Sequence, residues 1–111
     1  MARRILEDRA RGVLAMALAG YALDVPLAAI ADADRSTAAA LARNLAMYLA
    51  HVAFGMSLAR VGSAFARDRT TVSYACKVIE DRRDDPRFDR WLEALERTIA
   101  AAPAPYRGDA A

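Results

Sequence analysis

The stretch FARDRTTVSYACKVIED, residues 65–81, places two arginines and two threonines around what reads as the start of a helix. Arginine can bridge O6 and N7 of guanine, and threonine offers both a hydroxyl and a methyl that can meet the methyl of thymine. The acidic side chain of Asp68 can accept from the amino group of cytosine, or it can cap the helix. These residue types therefore fit either a helix start or a DNA-reading surface.

The elements around this stretch form the pattern of a helix-turn-helix at about residues 57–80. Ser57 caps a brief helix, and the apolar spacing breaks at Arg67 and Asp68 before it resumes. The residues predicted to face inward from the second helix are Val72, Ala75, Cys76 and Ile79. The opposite side then carries Thr70, Ser73, Tyr74 and Lys77, with Arg69 at its leading end. In such motifs the second helix lies in the major groove with its N-terminal residues toward the bases.

The rest of the chain must supply a scaffold, and its spacing is helical throughout. A first helix is predicted from about Arg3 to Gly20, with one apolar stripe formed by Leu6, Ala10, Val13, Leu14, Ala17, Leu18 and Tyr21. A short helix follows at Pro26, and a long one, capped by Ser36 or Thr37, runs to about Ala53. A last helix is capped by Asp84 or Asp85. The prediction is an all-α compact bundle of about six helices, one domain over 1–102 with a disordered tail at 103–111.

Composition narrows the function classes. The formal net charge is only +2 over 111 residues, yet fifteen of the sixteen basic residues are arginine, whose planar fork suits phosphate and guanine. Genomic base composition would also explain this bias. One cysteine and one histidine cannot build a Cys/His zinc site, and no catalytic constellation stands out, so no enzyme, metal or cofactor is predicted. Asp24 and Pro26 break the longest apolar run, so it is not predicted to span a membrane and no membrane partner is expected. A cytoplasmic location is the default expectation, and a DNA-reading surface would place the protein at the nucleoid.

Four ordered blocks resemble the C-terminal DNA-binding domain (domain IV) of the bacterial replication initiator DnaA. That family has R-x-x-A-M-Y-L, S-L-x-x-I-G-x-x-F, R-D-H-T-T-V and A-C-x-x-I-E. Here the blocks begin at Arg43, Ser57, Arg67 and Ala75. The resemblance covers roughly residues 10–100 and implies a fold similar to that of the Trp repressor. No G-x-x-x-x-G-K-[ST] loop occurs, so it implies a free-standing DNA-binding module rather than a complete initiator.

The resemblance also implies roles for individual residues. Arg35 would enter the minor groove, and the residues at bases would be Asp68, Arg69, Thr70 and Tyr74. Along the phosphate backbone it places His51, Leu58, Arg67 and Thr71, and we add Ser36, Ser73 and Lys77 to that predicted set. Two departures stand out: the family's glycine pair is reduced to Ala66, and Arg69 replaces its histidine. An arginine at that position predicts a different base preference, with guanine at that step.

The resulting hypothesis is sequence-specific binding of double-stranded DNA by a transcription regulator. A similar module is known in activators of gene transfer agents, so a second activator subunit or a transcription-machinery protein would be a natural partner. Two alternatives stay open: a modulator of replication initiation that competes for DnaA boxes, and a protein-interaction module that has lost DNA binding. The alanine-rich first helix could pack against a copy of itself, so a homodimer is also open.

Overall fold

The computed structural model describes residues 2–31, 36–106 and 108. Over these residues the chain is helical and contains no strand, which confirms the predicted all-α bundle. The helices are α1 (Ala2–Leu23), α2 (Leu27–Ala31), α3 (Thr37–Val52), α4 (Leu58–Phe65), α5 (Arg69–Arg82) and α6 (Pro86–Ala100). None of the described helices is long and apolar enough to cross a bilayer. The predicted tail at 103–111 lies partly outside the described residues.

Helix α3 is the centre of the bundle. The sequence offered Ser36 or Thr37 as its N-cap, and the structure selects Ser36, whose hydroxyl accepts a hydrogen bond from the backbone N–H of Ala39 at 3.2 Å. Leu45, Tyr48 and Leu49, at i, i+3 and i+4, are buried on its inner face, whereas Val52 near its end is exposed. Because α3 packs more extensively against α1 and α5 than against the other helices, it fixes the placement of both.

All six helices contribute to one hydrophobic core. The largest fully buried side chains include Ile30 of α2, Leu45 and Leu49 of α3, Val61 of α4, Ile79 of α5, and Leu92 and Ile99 of α6. Asp85 caps α6 by accepting from the N–H of Arg87 at 2.9 Å, and Pro86 occupies the first turn. The sequence offered Asp84 and Asp85 as alternatives, and the structure selects Asp85.

Helix α1 is one turn longer than the predicted end at Gly20. It ends at Leu23, and Asp24 then adopts a left-handed conformation with φ 56°. The N–H of Val25 donates to the carbonyl of Gly20 at 2.9 Å, as in a Schellman motif. A Cβ at Gly20 would lie 2.6 Å from the carbonyl oxygen of Val25. Gly20 therefore permits a close approach inside the final turn rather than ending the helix.

The apolar stripe of α1 forms, but it points away from the core. The buried face consists of Asp8, Gly12, Ala15, Ala19 and Gly20, whose small side chains bring α1 close to its neighbours. The larger stripe residues are exposed, among them Leu6, Val13 and Tyr21. The stripe predicted from spacing is therefore mostly the exposed side of α1, with Leu18 partly buried against the core. Close helix packing favours small residues at the contact, so in α1 side-chain size decided which face is buried.

Asp8 is the buried charge of α1, and it is paired with Arg60 of α4. Arg60 Nε donates to Asp8 Oδ2 at 2.9 Å, and Arg60 Nη2 donates to Oδ1 at 2.6 Å. This two-bond pair joins residues 52 positions apart. The hydrogen bonds from Arg60 hold the pKa of the Asp8 carboxyl below its ordinary value, although burial acts in the opposite direction. The pair fixes α1 to the first helix of the predicted helix-turn-helix.

Candidate nucleic-acid interface

The turn between α4 and α5 closes with a Schellman motif. The N–H of Arg67 donates to the carbonyl of Gly62 at 2.8 Å, and the N–H of Ala66 donates to that of Ser63 at 3.4 Å. Ala66 is left-handed, with φ 55° and ψ 47°. This conformation suits glycine, which fits the glycine pair that the family pattern has at this turn.

Gly62 makes this turn sterically possible. A Cβ at Gly62 would lie 2.6 Å from the carbonyl oxygen of Arg67 and 3.7 Å from the backbone nitrogen of Arg69. The obstacle is backbone rather than a flexible side chain, so any side chain at position 62 must displace the turn. Because the turn leads directly into Asp68 and Arg69, Gly62 indirectly sets their positions. The motif resemblance includes this glycine, but spacing alone did not show its steric role.

Ala66→Gly is expected to stabilise the fold by about 0.5–1 kcal/mol. Relief of the left-handed strain at alanine, about 1–2 kcal/mol, outweighs the extra backbone entropy that glycine loses on folding. Urea unfolding followed by circular dichroism measures the change. Ala59→Gly is the matched control, since Ala59 lies within α4 and the same substitution there should destabilise by about 0.5–1 kcal/mol. Destabilisation by Ala66→Gly would contradict the strain at this residue.

The outer face of α5 is polar and exposed. Val72, Ala75, Cys76 and Ile79 are buried, which confirms the predicted inner face. Thr70, Tyr74 and Lys77, at i, i+4 and i+7, form a ridge directly opposite. Tyr74 is 66% exposed, although a tyrosine ring ordinarily gains by burial. Ser73 and Thr71 flank this ridge and are exposed as well. Among the described residues, the ridge is an exposed surface.

Asp68 stands at the N-cap position of α5, as predicted, but its side chain makes no capping hydrogen bond. Its backbone carbonyl accepts from the N–H of Val72 at 3.1 Å, while the carboxylate is left on the surface. A carboxylate that does not cap is available to an external donor such as an exocyclic amine. Of the two roles that the sequence allowed Asp68, the geometry leaves the base contact open, since the side chain does not cap the helix.

Basic side chains flank Asp68 on both sides. Arg67 is half-buried and Arg69 is exposed at the first position of α5. An open concave surface at the turn is lined by Ala59, Ser63, Arg67, Asp68, Arg69 and Thr71, among others. Further along α5, Lys77 pairs with Asp81 at 3.5 Å, and both side chains are largely exposed. Positive charge thus concentrates at the N-terminal end of α5. Toward the C-terminal end, Asp81 balances the charge of Lys77.

His51 and Leu58 lie at the junction between α3 and α4. The Nδ1 atom of His51 is 2.6 Å from the carbonyl oxygen of Met56, and since a carbonyl only accepts, Nδ1 carries the hydrogen. This leaves Nε2 for a second interaction. Leu58 is the first residue of α4, where backbone N–H groups lack intrahelical acceptors and favour anions. The N–H of Leu58 is thus compatible with a phosphate contact, whereas Nε2 of His51 can donate to a phosphate only in the imidazolium form, because Nδ1 already carries the hydrogen of the neutral ring.

Ser36 lies far from this junction. It precedes the first turn of α3 while His51 lies in the last, so about 22 Å of helix separates them. The hydroxyl of Ser36 already accepts from the N–H of Ala39. Any phosphate contact by Ser36 would therefore be on a different part of the backbone from that of His51. Arg35, the predicted minor-groove residue, lies outside the described residues.

Arg83 anchors the far end of α5 and was not identified from the sequence as structural. Its Nε donates to Asp89 at 2.5 Å, and its Nη1 donates to Tyr48 at 2.7 Å and to Glu96 at 3.2 Å. The hydrogen bond to Asp89 raises the pKa of Arg83, so the guanidinium stays charged. The cluster ties the end of α5 to α3 and α6. An arginine beside a mixed-charge run gives no signal from sequence spacing that it points inward.

Arg43 donates hydrogen bonds to the C-terminal end of α2. Its Nε donates to the carbonyl of Ile30 at 3.0 Å, and its Nη2 donates to that of Ala29 at 3.2 Å. These carbonyls belong to the end of the five-residue helix α2, where they lack intrahelical donors. The arginine that begins the first motif block is therefore a cap for α2 in this structure.

Comparison with known proteins shows that this chain is similar to the helix-turn-helix domain of bacterial DnaA proteins. The family model described as "Bacterial dnaA protein helix-turn-helix" matches residues 15–79. The chromosomal replication initiator protein DnaA of Symbiobacterium thermophilum is 43% identical over 70 residues, covering 61% of this chain and 15% of the relative. That of Acinetobacter baumannii is 39% identical over 77 residues, covering 68% of this chain and 17% of the relative.

A solved structure described as that of a DNA replication initiation factor has the same fold. It superposes with a TM-score of 0.78 at 25% identity, covering 89% of this chain and 31% of that one. The chain therefore spans less than a third of this structure and about a sixth or less of the curated relatives. The match includes the turn and most of α5, while α1 before residue 15 lies outside the family model.

Proposed function

This chain belongs to the bacterial DnaA helix-turn-helix family, and we propose that it binds double-stranded DNA sequence-specifically through α4 and α5. The observation that carries the proposal is the surface of α5. Its Thr70–Tyr74–Lys77 ridge is exposed without packing against the protein, directly after a basic turn. In a helix-turn-helix this is the surface that enters the major groove.

Base reading is assigned to the leading end of α5. Arg69 can bridge O6 and N7 of guanine, and the uncapped carboxylate of Asp68 can accept from the amino group of cytosine. Thr70 offers a hydroxyl and a methyl one position further, and Tyr74 follows one turn later on the same ridge. The site read by this chain therefore contains G·C pairs at the step nearest the turn.

Phosphate contacts position the helix rather than specify sequence. We assign them to Arg67 and Thr71 at the turn, and to His51 and the N–H of Leu58 at the α3–α4 junction. Ser73 and Lys77 extend these contacts along α5. The minor-groove role of Arg35 belongs to the same proposal and rests on the family resemblance.

We propose that the protein is a transcription regulator located at the nucleoid. Arg69 favours it over modulation of replication initiation, because an arginine that prefers guanine directs this chain to sites other than those read with a histidine. Mapping bound sites in cells identifies the regulated genes. The resemblance to gene-transfer-agent activators predicts that these genes include the gene cluster that encodes the virus-like particle. It also predicts that a second activator subunit binds beside this chain.

Thr70→Ala and Arg67→Ala are expected to weaken DNA binding in different ways. Thr70→Ala removes a base contact, so specific binding falls by about 1–3 kcal/mol while nonspecific binding is kept. Arg67→Ala removes a phosphate contact, so it weakens binding to all sequences alike. It also lowers the slope of log affinity against log salt concentration by about one. Fluorescence anisotropy with a specific duplex and a scrambled competitor, over a range of salt concentrations, separates the two effects.

Thr98→Ala is the matched control for this experiment. Thr98 is exposed on α6, where its hydroxyl donates to the carbonyl of Ala94 at 2.8 Å, remote from α5 in the sequence. It should bind as the unmodified chain does. If Thr70→Ala left selectivity unchanged, α5 would not be reading bases. A chain that bound no DNA even at low ionic strength would instead be a protein-interaction module.

A further inference from the structure

The outer face of α1 is apolar over four turns. No charged residue occurs between residues 12 and 23, so both sides of this part of the helix are apolar. On the outer side Leu6 is 54% exposed, Val13 52%, Leu14 38% and Tyr21 84%. Ala10 and Ala17 complete this outer stripe and are exposed as well. A helix that is apolar all round is ordinarily covered on all sides, and a contiguous apolar patch usually marks an interaction surface.

We infer that this outer stripe binds the same stripe of a second copy, with the two α1 helices antiparallel. The stripe positions are symmetric about a point midway between Val13 and Leu14. Antiparallel pairing about that point brings each position opposite another member of the stripe. The resulting contacts are Leu6 with Tyr21, Ala10 with Ala17, and Val13 with Leu14, each across the two chains. A twofold interface requires this kind of self-complementary surface.

Charge at the ends of the stripe fits the same arrangement. Arg3 and Asp24 are equally distant from the midpoint, so antiparallel pairing brings each opposite the other across the two chains. Within the described part of one chain neither side chain has an ion-pair partner. A parallel pair would instead place Arg3 against Arg3 and Asp24 against Asp24. Charge complementarity therefore selects the antiparallel orientation.

Small side chains lie on either side of the central contacts between Val13 and Leu14. Ala10 meets Ala17 there, so these parts of the interface allow close contact between the two helices. The larger side chains of Leu6 and Tyr21 then close the two ends. The inner face of α1 packs on α3 and α4 of its own chain, and α1 is not among the main contacts of α5. A dimer through α1 therefore leaves both α5 ridges free.

Sedimentation equilibrium of the full chain without DNA tests this inference. We expect a dimer whose dissociation constant is roughly 1 to 300 μM, since a single helix pair is a small interface. Val13→Glu buries an unpaired charge and should raise the dimer dissociation constant at least ~100-fold. Val52→Glu is the matched control, because Val52 is 46% exposed on α3, outside the stripe, and should leave dimerisation unchanged. Circular dichroism verifies that both variants are folded.

Charge reversal tests the end contacts. Arg3→Asp alone and Asp24→Arg alone should each weaken dimerisation severalfold, because like charges then meet. The double variant should recover the affinity of the unmodified chain. Independent losses that add up in the double variant would contradict pairing between these two residues.

Cysteine cross-linking tests the orientation. An equimolar mixture of Ala10→Cys and Ala17→Cys chains should form an intermolecular disulfide, whereas each alone should not. In the antiparallel pair the two copies of residue 10 are displaced by about 10 Å along the axis, beyond the reach of a disulfide. Cys76 does not interfere, because it is buried and burial raises its thiol pKa to about 11. A monomer at all concentrations, or cross-linking of Ala10→Cys alone, would overturn the inference.

Discussion

Gly62→Ala is expected to lower DNA affinity by about 30-fold or more and to destabilise the fold by about 1–3 kcal/mol. The new methyl would lie 2.6 Å from the carbonyl oxygen of Arg67, so the turn must move. Displacing that turn shifts Asp68 and Arg69 together, and several DNA contacts are lost at once. Urea unfolding and anisotropy titration of the same variant give the two quantities.

Gly20→Ala provides the matched control for this substitution. A Cβ at Gly20 would also lie 2.6 Å from a backbone carbonyl oxygen, that of Val25, in the corresponding motif at the end of α1. Its cost in stability should be similar, yet the turn before α5 is untouched. Gly20→Ala should therefore retain most DNA affinity. Equal loss of affinity in the two variants would mean that general destabilisation, rather than the position of the turn, causes the effect.

Asp8→Asn is expected to destabilise the fold by about 1–3 kcal/mol at pH 7. The substitution leaves Arg60 without its carboxylate partner, and the partial exposure of Arg60 keeps the cost below that of a fully buried pair. The folded-state pKa of Asp8 lies below its unfolded value. The pair therefore stabilises the fold above the unfolded pKa of about 4, and this stability is lost as pH falls through the lower folded pKa.

Urea unfolding from pH 7 down to about pH 2 measures this contribution. The stability of the unmodified chain should fall more steeply across the acid range than that of Asp8→Asn, whose side chain does not titrate. Asp81→Asn is the control, because the Lys77–Asp81 pair is exposed and such pairs contribute little. Parallel pH curves for the unmodified chain and Asp8→Asn would show that Asp8 contributes no titratable stability.

Periodicity predicted the elements around α5 well for a physical reason. Val72, Ala75, Cys76 and Ile79 recur at i, i+3, i+4 and i+7, and the opposite side of the helix is mostly polar, so their spacing indicates one buried face. The caps at Ser36 and Ser57 could be identified similarly, since a small hydroxyl residue before an apolar run has a specific structural role. The polar surface of α5 then followed as the remaining face.

Helix α1 shows where this reasoning does not apply. It is apolar on both sides, so hydrophobic spacing cannot tell the face that packs from the face that is exposed. The buried side was chosen by the small size of Gly12, Ala15 and Ala19, which permits close approach. Asp8 could not be identified either, because its partner Arg60 is 52 residues away in sequence. The left-handed conformation of Ala66 was hidden because alanine ordinarily favours helix.

Selection of bound duplexes from a randomised pool by the purified chain tests the central claim most directly. Sequence-specific reading by α5 predicts enrichment of one motif with a guanine at the step met by Arg69, and loss of that guanine preference in Arg69→Ala. Enrichment of no motif, or of the same motif with the same preference at every position by Arg69→Ala, would contradict base reading by the leading end of α5.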